Sequence, residues 1–236
     1  MKMKEKILLI ADMHGENPVG IVKQSREEVE QVVFLGDYDT PEIVRELRKL
    51  RIKKRFIVGN HDLHYVNGLE ISGPLMTMPW QKYVKLWKNN PNEKKFIERA
   101  IMGESKNAGL ILEDKLEDGI KIAYCHGGIV DNGLDASRYV WQRMFSEENI
   151  MENFSKIIEE DYWILFRAHD HTSAVISLRE KPARLEYPIG ERIKLAKTKR
   201  HIVKIGPFYY DNYAIFDSNT GILEYKDIKE ELDRTN

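Results

Sequence analysis

The sequence predicts an α/β fold, and three observations carry that prediction. Short apolar runs at Lys6–Ala11, Gln31–Leu35 and Arg55–Val58 alternate with helix-periodic stretches in the first part of the chain. Within each run the apolar residues are continuous rather than alternating, the pattern of strands buried on both faces of a parallel sheet. Each run is also followed at once by Gly or by a side chain able to bind a metal, so chemistry collects where strands end.

The elements follow in order. A polar helical stretch, about Pro18 to Glu30, joins the first two runs. Thr40 suits a helix N-cap and Pro41 the first helical position, ahead of Ile43, Val44, Leu47 and Leu50 at helical spacing. From about 69 to 109 strand alternation stops, while Trp80, Tyr83, Val84, Leu86 and Trp87 recur at helical spacing and a second helix is predicted over Asn92–Met102. That segment reads as a helical insertion laid on the α/β body. Strands are predicted at Leu110–Leu112 and Gly119–Cys125, one long helix over Ser137–Glu160, and a buried strand at Tyr162–Ala168. The remainder alternates in short pieces, Ala174–Leu178, Ile202–Ile205, Tyr213–Asp217 and Ile222–Tyr225, and predicts a mostly antiparallel second sheet. With no repeat, low-complexity tract or flexible linker, the expectation is a single domain over residues 1–236.

Composition narrows the function. Lys+Arg 37 against Asp+Glu 38 gives a net charge of -1, which argues against a dedicated nucleic-acid binder. A single Cys excludes a disulfide framework and a thiolate zinc site, and it suits a reducing compartment. No stretch approaches the ~18 apolar residues of a membrane span. The expectation is a cytoplasmic protein with no membrane partner.

The chemistry sits at the strand ends. Asp12 and His14 follow the first run as D-x-H, Asp37 follows the second in L-G-D, and Asn60, His61 and Asp62 follow the third in G-N-H-D. His126 closes a later strand in C-H-G-G, and His169 and His171 close another in A-H-D-H. Five of the 7 histidines therefore occupy strand ends, where open α/β sheets form their ligand crevices. Imidazole and carboxylate suit divalent transition ions. Seven such ligands are too many for one ion and fit two that share a carboxylate, an arrangement that clamps a phosphoryl group and generates a nucleophile from water.

This ordered set, D-x-H, G-D, G-N-H-D, H-G and H-x-H, resembles that of the calcineurin-like metallophosphoesterase superfamily, with the match running from Asp12 to His171. The resemblance implies a four-layered α/β/β/α sandwich of two mixed sheets with metals at the strand ends. It implies that Asp12, His14, Asp37 and His171 hold one ion and that Asp37, Asn60, His126 and His169 hold the other, so that Asp37 bridges. His61 would be catalytic, protonating the leaving oxygen or stabilising its charge, with Asp39 or Asp62 as its orienting carboxylate. Two divalent ions (Mn²⁺, Fe or Zn²⁺) are the implied cofactors, and a phosphorylated small molecule or nucleotide, mono- or diester, the implied substrate. Gly36-Asp37-Tyr38, His126-Gly127-Gly128-Ile129 and Arg167-Ala168-His169 also echo the serine/threonine protein phosphatases. That branch carries Asp and Arg where this chain has Thr40 and Pro41, and Arg where it has Val58, so a general phosphoesterase is favoured. A catalytically silent scaffold and a nuclease are the remaining alternatives.

Other residues invite weaker readings. Asn60, His64 and Arg138 are candidate substrate contacts, and Arg143 a further one. His64 otherwise reads as a solvated loop residue and Cys125 as a strand residue facing away from His126. His201 adjoins the basic run Lys197–Arg200, read as a solvated edge. In the insertion, Trp80, Tyr83 and Trp87 with interleaved lysines could stack a base as a lid, cover the body, or form a homodimer contact.

Overall fold

In the computed structural model, residues 6–68, 80–130, 137–178, 183–187 and 190–229 are described. The chain runs β1 (Lys6–Ile10), α1 (Val19–Ser25), β2 (Gln31–Phe34), α2 (Pro41–Lys49), β3 (Lys53–Ile57) and α3 (Asn60–Asn67). Then come α4 (Trp80–Lys88), α5 (Pro91–Ile101), β4 (Ala108–Gly109), β5 (Ile111–Lys115), β6 (Lys121–Cys125), α6 (Ser137–Trp141) and α7 (Glu147–Glu159). It finishes with β7 (Tyr162–Arg167), β8 (Ala174–Ser177), β9 (Ala183–Glu186), β10 (Arg192–Lys194), β11 (His201–Lys204), β12 (Asn212–Asp217) and β13 (Ile222–Asp227).

These strands form two mixed sheets. One has the order β10-β13-β12-β1-β2-β3-β4 and the other β5-β6-β7-β11-β8-β9. In the first sheet β1, β2, β3 and β4 are parallel and β12 runs antiparallel beside β1. In the second, β6 and β11 flank β7 in parallel, and the outer pairings are antiparallel.

Strand periodicity explains the layering, because successive side chains point to opposite faces. Leu8 and Ile10 join Val32, Phe34, Val44, Leu47 and Ile97 in a core between the first sheet and its helices. Ile7 and Leu9, from the same strand, join Val33, Ile57, Tyr124, Phe166, Val203 and Phe216 in a second core between the sheets. A third core packs Ala123, Cys125, Leu165 and Ile202 against Phe154 and Ile157 of α7. Helix, sheet, sheet and helix are therefore stacked as the sequence led one to expect. Strands so sandwiched must be apolar on both faces, hence the continuous runs.

The structure corrects several boundaries. The helix predicted over Pro18–Glu30 is confined to Val19–Ser25. Thr40 takes the N-cap position of α2 with extended backbone, but its side chain makes no capping bond. The predicted strand Leu110–Leu112 is the crossing between sheets: β4 ends at Gly109 beside β3, and β5 starts at Ile111 beside β6. The predicted long helix Ser137–Glu160 is two helices broken at residues 142–146, with Ser146 capping α7 by accepting from the Asn149 N–H at 3.2 Å. The C-terminal strands are not one sheet: β8, β9 and β11 extend the second sheet, whereas β10, β12 and β13 return to complete the first.

Within the segment expected to be a helical insertion, α4 and α5 pack on the helical layer, and residues 69–79 lie outside the described residues, as do the side chains of Trp80 and Arg138. Tyr83 and Trp87 are buried against the body while Lys82, Lys85, Lys88 and Lys95 face water. These two rings therefore cover the body and present no face to a base. His201 does not lie on a solvated edge: it is buried in β11 at 2% exposure, with Nδ1 2.8 Å from the Ser177 hydroxyl and Nε2 3.0 Å from the Ala196 carbonyl. Cys125 is buried in β6, and burial pushes its thiol up to about 12, which removes it as a nucleophile.

Candidate metal centre

Parallel order in the first sheet brings the ends of β1, β2 and β3 together, and β6 and β7 deliver their own ends from the second sheet. Asp12, His14, Asp37 and His171 meet so closely that one ligand atom from each lies within 4.8 Å of all the others. Two carboxylates and two imidazoles around one point form a cation site in all but the cation. A second group adjoins the first. Asn60 Oδ1 lies 2.9 Å and Asp37 Oδ2 3.4 Å from His126 Nε2, and the His169 ring centre lies 5.1 Å from that of His126. Asp37 Oδ2 is also 3.8 Å from His14 Nε2, so this one oxygen stands between the two groups.

Several ring nitrogens there are aimed at shared points. His169 is 4% exposed, yet its Nε2 has no hydrogen-bond partner. His126 has Nδ1 2.6 Å from the Leu35 carbonyl, which aims Nε2 at the oxygens of Asn60 and Asp37 and leaves it as the atom that would face an ion. His14 and His171 set their Nε2 atoms 3.2 Å apart, while their Nδ1 atoms are engaged by Asp39 Oδ2 at 3.4 Å and the Tyr209 hydroxyl at 3.0 Å. Lone pairs converging on shared points are what a metal requires. The residues present fit divalent metal binding.

The backbone is bent to make this cluster. Asp12, His14, Asp37, Asp39, His169 and His171 all have positive φ, between 43° and 70°. Left-handed conformation costs a non-glycine residue on the order of 1–3 kcal/mol, and Asp and His tolerate it best. Strain concentrated at one site marks it as functional. Close approach adds a steric demand: a Cβ on Gly59 would fall 2.1 Å from Asp37 Oδ1.

Electrostatics follow from burial of like charges. Burial and the neighbouring Asp37 push Asp12 up to about 6, although His126 and His14 oppose the shift. Burial works against a charge on His126, but Asp37 and Asp12 overcome it and raise the ring to about 9. His171 is driven down to about 4 by burial and by His14.

Beside the two groups stands His61, with its Nδ1 2.8 Å from Asp39 Oδ1. This settles which carboxylate orients it. Asp62 is committed elsewhere, accepting from the backbone N–H of Asp37, Tyr38 and Gly59 at 2.9–3.0 Å. Burial opposes protonation of His61, yet Asp37 and Asp39 raise its pKa to about 10. With Nδ1 engaged, Nε2 is the nitrogen left for a substrate.

The candidate substrate contacts fare unequally. Asn60 is inside the cluster. His64 is not in a loop but in the last turn of α3, where its Nε2 accepts from the Trp141 indole N–H at 3.2 Å. Arg143 is exposed on the segment joining α6 and α7. The roles of Trp141 and Tyr209 were not foreseen. Trp141 stands edge-on to both His64 and His169, at 5.2 and 5.7 Å, and Tyr209 stands edge-on to His14 at 5.0 Å and His171 at 5.4 Å, so two aromatic rings wall the centre.

Comparison with known proteins now adds to the geometry. The family model of the calcineurin-like phosphoesterase superfamily domain matches residues 5–181, which contain every proposed ligand. The chain belongs to the calcineurin-like phosphoesterase superfamily. Its fold superposes on a metallophosphoesterase from Sphaerobacter thermophilus with a TM-score of 0.66 at 19% identity, covering 96% of this chain and 89% of that one. More distant matches include a predicted phosphoesterase from Streptococcus pneumoniae (TM-score 0.46, 13% identity, 96% and 99% covered). Another is Vps29 of Chaetomium thermophilum (TM-score 0.48, 10% identity, 97% of each chain). No curated protein gives a significant sequence match. Phosphoesterases of this superfamily are generally metal-dependent, and the cluster at the strand ends is where this member carries its metal-competent side chains.

Proposed function

We propose that this calcineurin-like phosphoesterase is a dinuclear metal-dependent hydrolase of a phosphorylated small molecule or nucleotide, mono- or diester. The observation that supports it is the convergence of a full ligand set with an oriented acid beside it. Asp12, His14, Asp37 and His171 would hold one ion, and Asp37, Asn60, His126 and His169 the other. A bound pair of divalent ions, Mn²⁺, Fe or Zn²⁺, supplies Lewis-acid neutralisation of the phosphoryl oxygens and lowers the pKa of water.

The protein's own groups do the rest. Asp39 accepts the Nδ1–H of His61 at 2.8 Å and so presents Nε2 to the leaving oxygen. A proton donated there prevents an alkoxide from building up, worth on the order of 10²–10⁴-fold. The Asn60 amide polarises the same pocket, and Trp141 and Tyr209 pack edge-on against its histidine rings.

A protein phosphatase is the weaker reading. Arg167, the residue whose context echoes that branch, has its guanidinium taken up by Asp170 and by the carbonyls of Gly127 and Gln142, so it has no edge free for a phosphate. A silent scaffold of the same fold has no need of the His61–Asp39 pair. The proposed setting is the cytoplasm; no described helix is long and apolar enough to cross a membrane.

The test is metal analysis followed by assay of a chromogenic phosphomonoester, a phosphodiester, nucleotides, a phosphopeptide and single-stranded DNA or RNA with added Mn²⁺. Turnover of small phosphoesters or nucleotides with two ions bound is the expected result. Two bound ions with no turnover on any substrate would establish the scaffold instead.

A further inference from the structure

The insertion helix α4 reaches the site without contributing any group to it. Trp87 is fully buried, and its indole N–H donates to the Asp39 backbone carbonyl at 2.9 Å. One turn earlier on the same face, Tyr83 stacks on Tyr65 with centroids 5.1 Å apart and an interplanar angle of 25°. Tyr65 in turn brings its hydroxyl to 3.5 Å from His61 Nδ1 and its ring edge-on to the His61 ring. Residues four apart on a helix share a face, so one surface of α4 touches Asp39 directly through Trp87 and reaches His61 through Tyr65 of α3.

Asp39 needs such support. Its φ is +60°, a conformation that an Asp adopts only at a cost and that neighbouring contacts must hold. Its carboxylate serves two rings, His61 at 2.8 Å and His14 at 3.4 Å, so a small rotation of its backbone would misdirect both. A buried indole donor leaves the carbonyl one direction to point. Trp87 would satisfy packing as any large aromatic ring; the hydrogen bond is the feature that packing alone does not require.

We infer that Trp87 is a positioning residue for the acid of this site: its indole N–H locks the backbone of Asp39, which aims His61 at the leaving oxygen. The inference rests on the hydrolase reading above. It assigns the insertion a task distinct from a lid or a dimer contact, that of setting how strongly the active site protonates its leaving group.

Trp87→Phe keeps a buried aromatic ring and removes only the donor, and His61→Ala serves as the reference. Both are compared with wild type on an aryl phosphate with a good leaving group, which needs no protonation, and on an alkyl phosphate, which does. The expected outcome is that Trp87→Phe loses about tenfold in kcat on the alkyl ester, with little change on the aryl ester, in KM or in metal content. His61→Ala should show the same selectivity to a greater degree. In the metal-free protein, ¹H–¹⁵N spectra of the histidine rings should show the His61 Nδ1 proton protected from exchange by its bond to Asp39 in wild type and exchanging faster in Trp87→Phe. Equal losses on the two esters, or no loss, or unchanged exchange of the His61 Nδ1 proton would overturn the role of Trp87 while leaving the hydrolase reading in place. A wild-type protein inactive on both esters and on the whole substrate panel above would remove the hydrolase reading and this inference together.

Discussion

Asp62 holds the backbone of Asp37. Its Oδ2 accepts from the Asp37 N–H at 2.9 Å and from the Gly59 N–H at 2.9 Å, while Oδ1 accepts from the Tyr38 N–H at 3.0 Å. One buried carboxylate thus ties the turn after β2 to the turn after β3, the two turns that supply Asp37 and Asn60. Removing it strands three buried donors, each worth about 1–3 kcal/mol when left unsatisfied. Asp62→Ala is expected to lose at least about 3 kcal/mol in urea unfolding and to bind metal more weakly. Asp62→Asn keeps one acceptor oxygen and should fall between. Wild-type stability in Asp62→Ala would show that these bonds do not hold the turns.

Crowding at Gly59 gives a second test. A methyl group there would lie 2.1 Å from Asp37 Oδ1 and 2.3 Å from Asp37 N, so Asp37 must move. Gly59→Ala is expected to cost about 1–3 kcal/mol by overpacking and to lower metal occupancy. Gly20, in α1, has nothing within 4 Å of a Cβ, so Gly20→Ala should leave metal binding unchanged and stabilise by roughly 0.5–1 kcal/mol. Equal behaviour of the two variants in a metal titration would rule out the steric argument.

Metal uptake should release protons. Without an ion, Asp37 and Asp12 keep His126 protonated to about 9, and burial with Asp37 raises Asp12 to about 6. Ligands must be deprotonated, so binding near pH 7 displaces the His126 proton. Affinity should therefore rise with pH toward about 9, and fall a second time below about 6 as Asp12 takes up a proton. Calorimetry of Mn²⁺ binding in two buffers of different ionisation enthalpy measures the released protons directly. At least about one per protein is expected near neutrality, since, against burial, Asp39 and Asp37 also hold the His14 ring above its ordinary value, and none would contradict the burial argument.

The sequence made the strand ends legible because their chemistry is local: a buried run followed by Asp, His or Asn puts a metal-competent side chain at the carboxyl end of a strand. Asp12, Asp37, Asn60, His126, His169 and His171 meet where the motifs place them, and the doubly buried strands announced an α/β body, whose four-layered sandwich the family resemblance implied. What stayed hidden depends on contacts between distant segments. Asp39 and Asp62 are both near His61 in the motif picture; only the positive φ of Asp39 and the three N–H groups around Asp62 distinguish them. Tyr209 and Trp141 come from elements that no spacing rule links to the site. Ser146 was readable: Ser followed by Glu147 and Glu148 is an N-cap with an acidic first turn, outweighed by the apolar periodicity on either side. The assignment of β10, β12 and β13 to the first sheet is a matter of topology that alternation alone does not encode.

Asp37 and Asp39 lie two residues apart and should fail in different ways. Asp37 Oδ2 stands within 3.4 Å of His126 Nε2 and 3.8 Å of His14 Nε2, between the two proposed ion positions. Asp37→Asn removes the charge that both positions share, so metal content should drop at each and turnover should disappear with it. The Asp39 carboxylate instead engages the far nitrogens of His14 and His61, at 3.4 and 2.8 Å. Outer partners of this kind typically contribute 10–100-fold to metal affinity or activity. Asp39→Asn is therefore expected to retain both ions at saturating Mn²⁺ while losing 10–100-fold in kcat, with the larger loss on alkyl leaving groups because His61 is no longer aimed. Metal stoichiometry by mass spectrometry, read beside kcat for the same preparations, separates the two. If Asp37→Asn kept two ions and Asp39→Asn lost them, the bridging and orienting roles would have to be exchanged.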